Sequence, residues 1–305
     1  VPTPLREGMP DLSFIETAAA AMGRHLRPGA TVVLESTTYP GTTSNFLKPI
    51  IEAKGFKLDE TYHLAFSPER IDPGNAHFNI RNTPKIVGGE SAASGDRAFD
   101  FYDRFVEKVV RTTGTKEAET AKLLENTYRH VNIALINELA TYCHSLGIDI
   151  WEVVKAASSK PYGFQAFYPG PGVGGHCIPV DPAYLSYEVK RTLGADFRFI
   201  EAAMDINRSM PNYVVSRIRD LLAEQGKQLK GAKVLLLGMT YKPDIADLRE
   251  SMVATLAALV RAATPQLLTD CRAIFRHIVS GNGTSVIDAT QSPETVAHEA
   301  LCLVA

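Results

Sequence analysis

Over the first third of the chain, short apolar runs rich in β-branched side chains alternate with amphipathic stretches of helical period. Residues 31–34, 62–66, 85–89 and 109–112 read as buried strands, and residues 14–25, 43–54 and 91–106 as the helices between them. Strands without a polar face must be covered on both sides, so this alternation predicts a parallel α/β sheet. Such a sheet binds ligands beyond the carboxyl ends of its strands, where residues 35–43 and 67–75 form loops.

Residues 116–146 contain neither Pro nor Gly, and Gly147 then supplies a stop, so a helix long enough to bridge two domains is expected. A second helix at about 150–157, a loop rich in Gly, Pro and aromatics at 160–182, and a long helix at about 195–222 follow. The apolar run 233–238, a helix over 251–263 and a last strand at 286–288 read as a second α/β unit. The 305 residues, 45% hydrophobic and 22% charged, suffice for two modest cores. A net charge of −2 excludes any general pull toward nucleic acid or anionic lipid. No run has the roughly 18 apolar residues of a membrane span and no basic-then-apolar start reads as a signal peptide, so no membrane partner and a cytoplasmic location are expected. Cys143, Cys177, Cys271 and Cys302 are scattered without ligand spacing, which predicts neither a metal site nor a disulfide framework.

The densest chemical signal is F-Y-P-G-P-G-V-G-G-H-C-I-P-V-D-P at residues 167–182. Gly170, Gly172, Gly174 and Gly175 are costly in entropy unless the backbone approaches a ligand closely or takes positive φ. This loop presents Cys177, with Asp181 four residues on. A lone cysteine is ordinarily a small buried hydrophobe, a reading that Cys143 keeps, whereas the surroundings of Cys177 argue for presentation. On the bridging helix Lys122, Asn126 and Arg129 share one face; a solvated stripe is the bland alternative, weakened by the apolar residues around them. Ser36, Thr37 and Thr38 offer hydroxyls at one strand end, and Glu69 and Arg70 a carboxylate and a guanidinium at the next, where a helix cap and a surface ion pair are the simpler readings. Y-K-P-D at 241–244 with R-E-S at 249–251 reads as an anion-contacting loop before a helix, or as a solvated charge run.

Five motifs in order, V-P-T-P at 1–4, E-S-T-T-Y-P-G at 35–41, S-P-E-R at 67–70, G-G-H-C at 174–177, and Y-K-P at 241–243 with R-E-S at 249–251, identify a resemblance from residue 1 to about 263. The chain resembles the nucleotide-sugar 6-dehydrogenases, the group of UDP-glucose and UDP-N-acetylhexosamine dehydrogenases. The resemblance implies two Rossmann-like parallel-sheet domains joined by a long central helix. Residues 1–114 would be the remainder of an NAD-binding domain, 115–210 a helical, catalytic-loop and dimerisation domain, and 211–305 a UDP-sugar-binding domain. It implies NAD as cofactor, a UDP-sugar as substrate, a homodimer or higher homo-oligomer, and four-electron oxidation of the C6 alcohol to a carboxylate. Cys177 would capture the aldehyde, with Lys122, Asn126, Asp181, Glu69 and Thr37 as further catalytic residues. Arg70, Ile71, Arg129, Phe167, Tyr168, Gly174 and Lys242 would grip the UDP-sugar, and Thr3, Thr37 and Arg249 the cofactor. The motifs match the UDP-N-acetylglucosamine 6-dehydrogenases of surface-polysaccharide pathways best. UDP-glucose enzymes usually carry a lysine before the loop aspartate, where this chain has Val180.

The strand, G-x-G-x-x-G turn and helix that open the family's cofactor domain have no counterpart in these residues. The first β-α-β part of that domain, on the order of 90 residues, is therefore expected to be missing. A second gap is expected near residues 264–267. Either the residues belong to a longer enzyme, or the chain is a catalytically incomplete UDP-sugar-binding or assembly subunit. A two-electron hydroxyacid dehydrogenase is disfavoured because it needs no thiol in a glycine loop.

Overall fold

The computed structural model describes residues 1–72, 75–175, 177–232, 234 and 251–263. The expected strands at 233–238 and 286–288, and Lys242, Arg249, Cys271 and Cys302, lie outside the described residues. Contacts divide the chain into one unit of Val1–Val214 with Met239–Leu256 and another of Val215–Gly238 with Ala257–Ala305.

In the first unit a hairpin of β1 (Leu5–Arg6) and β2 (Met9–Pro10) turns at Glu7 and Gly8, whose φ of 53° and 78° are those a two-residue hairpin loop requires. Four strands, β3 (Ala30–Leu34), β4 (Tyr62–Phe66), β5 (Lys85–Gly89) and β6 (Val109–Arg111), lie side by side in that order. Tyr62, Leu64 and Phe66 bury one face against α1 (Ser13–Met22) and a helix that opens as a π-turn (Thr43–Leu47) and continues as α2 (Lys48–Glu52). Ala65 faces the other way with Val87, onto Ala98 and Tyr102 of α3 (Ala92–Tyr102). Every residue of β4 and β5 is buried, which is why their sequences show no polar alternation.

The sheet corrects the expectation of uniformly parallel strands. β3–β4 and β5–β6 are parallel, but β4–β5 is antiparallel, pairing Ala65 with Gly89 and Phe66 with Gly88. No helix occurs in the described part of residues 67–84 to carry the chain back across the sheet, so β5 begins beyond the end of β4 and runs back until its last residues pair there. That inversion delivers Lys85, the first residue of β5, to the strand ends where the candidate loops lie.

The bridging helix is α4 (Thr115–Ser145), followed by α5 (Ile150–Ser158), α6 (Asp181–Leu193), α7 (Arg198–Glu224) and α8 (Met252–Ala263). The sequence reading has no helix in place of α6. Pro182, read there as loop punctuation, sits in the first turn of α6, where a missing N–H costs nothing, and Gly194 ends the helix with φ 66°.

β5 lies so close to its neighbours that Cβ atoms cannot be accommodated at its end. A Cβ on Gly88 would stand 2.2 Å from the Gly114 carbonyl oxygen, and one on Gly89 2.2 Å from the Gly95 amide nitrogen. We expect Gly88→Ala and Gly89→Ala to cost more than about 2 kcal/mol in denaturant unfolding. Gly95→Ala, whose Cβ meets nothing nearer than 3.5 Å, should be neutral or slightly stabilising.

Candidate active site

The site is organised by one face of α4. Glu119, Lys122, Asn126, His130 and Asn137 recur at helical spacing and are all buried. Asn126 donates from Nδ2 to Asp181 Oδ2 at 2.5 Å, tying α4 to the first residue of α6. Asn137 donates to Asn207 Oδ1 of α7 at 2.9 Å and accepts from the Gly170 N–H at 2.9 Å, so one amide holds both α7 and the glycine loop. Gly172, at φ 115°, has no room for a Cβ, which would meet the Asn207 carbonyl oxygen at 2.7 Å. Glu125 pairs with Arg70 at 2.6 Å and thereby anchors the loop after β4.

Cys177 is exposed, and its thiol pKa is pushed up, first by the packing around it and then by the Asp181 charge, against the pull of Lys122 and Arg129. Burial pushes the Asp181 carboxyl up to about 6, while the Asn126 hydrogen bond and the Lys122 charge act in the opposite direction. The four groups therefore form one electrostatic unit: a protonated thiol, a carboxylate that titrates close to neutrality, and two cations. Burial lowers the His130 pKa to about 4, aided by the charge of Arg208, so this imidazole is neutral at ordinary pH.

The loop after β3 makes a second group. Ser36 Oγ donates to the Val1 carbonyl at 2.8 Å, and Tyr184 Oη donates to the Pro4 carbonyl at 3.3 Å, so the segment bearing Thr3 is pinned between the Thr37 loop and α6. Tyr39 packs against Tyr184 and Tyr187 of α6, with ring centroids 6.3 and 6.0 Å away. Thr38 is wholly buried, and its hydroxyl finds no partner among the described residues.

The structure thus gathers Cys177, Lys122, Asn126, Asp181 and Arg129, and separately joins Thr3 to the Thr37 loop. Glu69 is engaged elsewhere: Oε1 accepts from the Arg70 and Ile71 amides at 2.7 and 2.6 Å, and Oε2 lies 3.8 Å from Lys85. Arg70 is committed to Glu125 and to the Pro84 carbonyl. Phe167 meets Tyr128 edge-on, Tyr168 stacks on Trp151 at 5.8 Å, and Gly174 lies half-buried in the loop.

Several positions that order the candidate site escape the sequence reading. Lys85 is 6% exposed, 2.8 Å from Glu35, and lies over the Tyr102 ring, whose hydroxyl donates to the same Glu35 oxygen. Its place at the head of an apolar strand, where a lysine is anomalous, is the one signal that marks it. Glu119, Glu125 and Asn137 look in sequence like ordinary polar helix residues.

Two family models match, one describing the NAD binding domain of the UDP-glucose/GDP-mannose dehydrogenase family over residues 1–106 and one its central domain over 116–209. The chain belongs to the UDP-glucose/GDP-mannose dehydrogenase family. It is similar to UDP-N-acetyl-D-glucosamine 6-dehydrogenase of Pseudomonas aeruginosa, 38% identical over 256 residues, covering 83% of this chain and 60% of that protein. It is also similar to UDP-N-acetyl-D-mannosamine dehydrogenase of Escherichia coli K12, 34% identical over 274 residues and 85% and 64% of the two chains. Among solved structures, the UDP-D-ManNAc dehydrogenase of Pyrococcus horikoshii superposes with a TM-score of 0.80 at 33% identity, over 86% of this chain and 62% of that one. The chain therefore spans about 60% of the length of the relatives it matches.

Asp181 gives a signed test. Its folded pKa of about 6 lies above the 3.8 of an unperturbed aspartate, so the folded state holds the proton more tightly. The stabilisation this provides is complete below about 3.8 and is lost as pH rises through about 6. Asp181→Asn removes that loss and should melt above wild type at neutral pH, with no such advantage below pH 4. Because the Asp181 charge also raises the thiol pKa, the variant should react with iodoacetamide at Cys177 about two- to five-fold faster at neutral pH.

Proposed function

We propose that the chain oxidises the C6 alcohol of a UDP-N-acetylhexosamine, UDP-N-acetylglucosamine first among them, to the uronic acid by an NAD-dependent four-electron route. The observation that carries this is the Cys177–Asp181–Asn126–Lys122 cluster, built from α4, the glycine loop and the first residue of α6. The Cys177 sulfur adds to the carbonyl carbon of the aldehyde formed in the first oxidation, its proton passing by way of Asp181 to the former carbonyl oxygen, to give a thiohemiacetal. A second oxidation gives a thioester, which water hydrolyses to free the carboxylate and restore the thiol. Lys122 faces the developing charge on the C6 oxygen, and Asn126 holds the Asp181 carboxylate in place.

NAD, when bound, accepts the hydride in each oxidation. Thr3 and Thr37, brought near one another by the Ser36–Val1 hydrogen bond, would contact such a group, and Arg249, outside the described residues, would be a further contact. Glu69 and Thr37 would assist hydrolysis, while Arg70, Ile71, Arg129, Phe167, Tyr168, Gly174 and Lys242 would hold the UDP-sugar. In this reading residues 1–114, 115–210 and 211–305 are the cofactor, central and sugar-nucleotide regions. Val180, where UDP-glucose enzymes usually have a lysine, supports the amino-sugar choice. The free thiols of Cys143 and Cys177 fit a cytoplasmic location, and the product would serve surface-polysaccharide assembly.

The test is NADH formation with UDP-N-acetylglucosamine, UDP-N-acetylgalactosamine, UDP-N-acetylmannosamine and UDP-glucose, with Cys177→Ala in parallel. About two NADH per sugar consumed, abolished by the substitution, is the expected result. No NADH with any sugar, combined with tight UDP-sugar binding, would replace the enzyme reading with that of a binding subunit.

The partner in this reading is a second copy of the chain. Leu124, Tyr128, Leu135, Leu139, Tyr142 and Leu146 form an exposed apolar stripe along α4, with Leu135 58% and Leu146 71% exposed. Light scattering should give a dimer or larger for the wild type and a smaller species for Leu135→Glu.

A further inference from the structure

Glu119 is wholly buried yet titratable, and the proposed reaction does not use it. It lies three residues before Lys122 and seven before Asn126, on the same face of α4. Its carboxylate reaches out of the helix to the other candidate loop. One oxygen accepts from the Gly41 N–H at 2.5 Å; the other accepts from the Thr43 N–H at 2.9 Å and the Thr43 hydroxyl at 2.7 Å. These amides belong to the start of the helical segment opening at Thr43, whose own N-cap residue, Thr42, makes no side-chain cap. Glu119 thus caps from another element donors that the local sequence leaves unmet, and its negative charge suits a helix start. Gly41, at φ 93°, holds a backbone conformation that favours glycine.

The clamp has a second jaw. Four residues before Thr43, Tyr39 packs on α6 alone, against Tyr184, Tyr187 and the cation of Arg191, which lies 5.7 Å from its ring. The loop carrying Thr37 and Thr38 is therefore fixed at one end to the helix bearing Lys122 and at Tyr39 to the helix bearing Asp181. We propose that Glu119 is a positioning residue, which sets the Thr37 loop against the Lys122 and Asn126 face of α4 through its hydrogen bonds to Gly41 and Thr43. Its functional arm rests on the oxidation proposed above; its structural arm does not.

The full chain carrying Glu119→Gln should be compared with wild type by amide hydrogen exchange of the segment 35–43. A glutamine keeps the size but turns an N–H₂ toward one of the backbone donors, so exchange there should quicken about ten-fold or more, with the strands of the sheet unchanged. In turnover, kcat should fall about ten-fold while KM for the UDP-sugar stays within about two-fold, a split that general loss of folded protein does not produce. In a cycle with Thr37→Ala the second substitution should add little, because both act on one element. Thr43→Val, which removes only the hydroxyl donor, should give a smaller change of the same sign and serves if Glu119→Gln does not fold. Unchanged exchange at 35–43 overturns the clamp. Faster exchange with unaltered kcat, or fully multiplicative effects with Thr37→Ala, overturns the positioning role. A wild type that makes no NADH defeats the proposed oxidation instead, and leaves the clamp to be decided by exchange.

Discussion

A polar group buried in the middle of a helix is tolerated only where another element brings it a partner, and α4 meets that condition repeatedly. Glu119 takes donors from the loop after β3, Asn126 gives one to α6, and Asn137 serves both the glycine loop and α7. At the edge of the same helix, Glu125 takes Arg70 from the loop after β4. Each bond adds only about 1 kcal/mol net, but losing one partner strands the other in a dry interior, which costs more. The bonds therefore act less as a source of stability than as a specification. They fix five separate segments relative to one rigid helix 31 residues long.

That arrangement decides the electrostatics around Cys177. Bringing α6 against α4 buries Asp181 beside the thiol, and the same burial that raises the carboxyl to about 6 raises the thiol as well. A thiol so placed is not a standing thiolate. In the proposed reaction this is useful: a free thiolate beside an electrophilic aldehyde and an oxidant would be prone to side chemistry, whereas a thiol becomes nucleophilic only when Asp181 can take its proton. Lys122 opposes both shifts, and Arg129 opposes that of the thiol.

What the sequence reveals follows from which physical rule is local. Residues 62–66 and 85–89 announce themselves as buried strands because both faces are covered and their side chains are apolar or small, His63 and Lys85 apart. Their relative direction does not, because it depends on the connection between them, in whose described part no helix occurs, rather than on either strand. α6 is hidden by Pro182, a breaker in most contexts and a good first-turn residue in this one. Within the site, Cys177 and Asp181 stand out because a glycine-rich loop needs a reason to exist. The ion pair of Arg70 with Glu125 is not legible in sequence, because the two lie 55 residues apart and no local pattern links them.

The two faces of α4 are not independent. A helix has one rotational setting about its axis, and the buried partners of Glu119, Asn126 and Asn137 determine it. With those three turned inward, the helical period turns Leu124, Leu135, Tyr142 and Leu146 outward, where they stand between 58% and 71% exposed. This inverts the usual arrangement, in which the polar face meets solvent. An apolar face left outward is costly in water unless covered, and the polar contacts prevent the helix from rolling to bury it. The side chains that assemble the candidate site are thus the same ones that oblige α4 to offer an apolar stripe. Any surface that covers the stripe would in turn hold α4 at the setting the site requires.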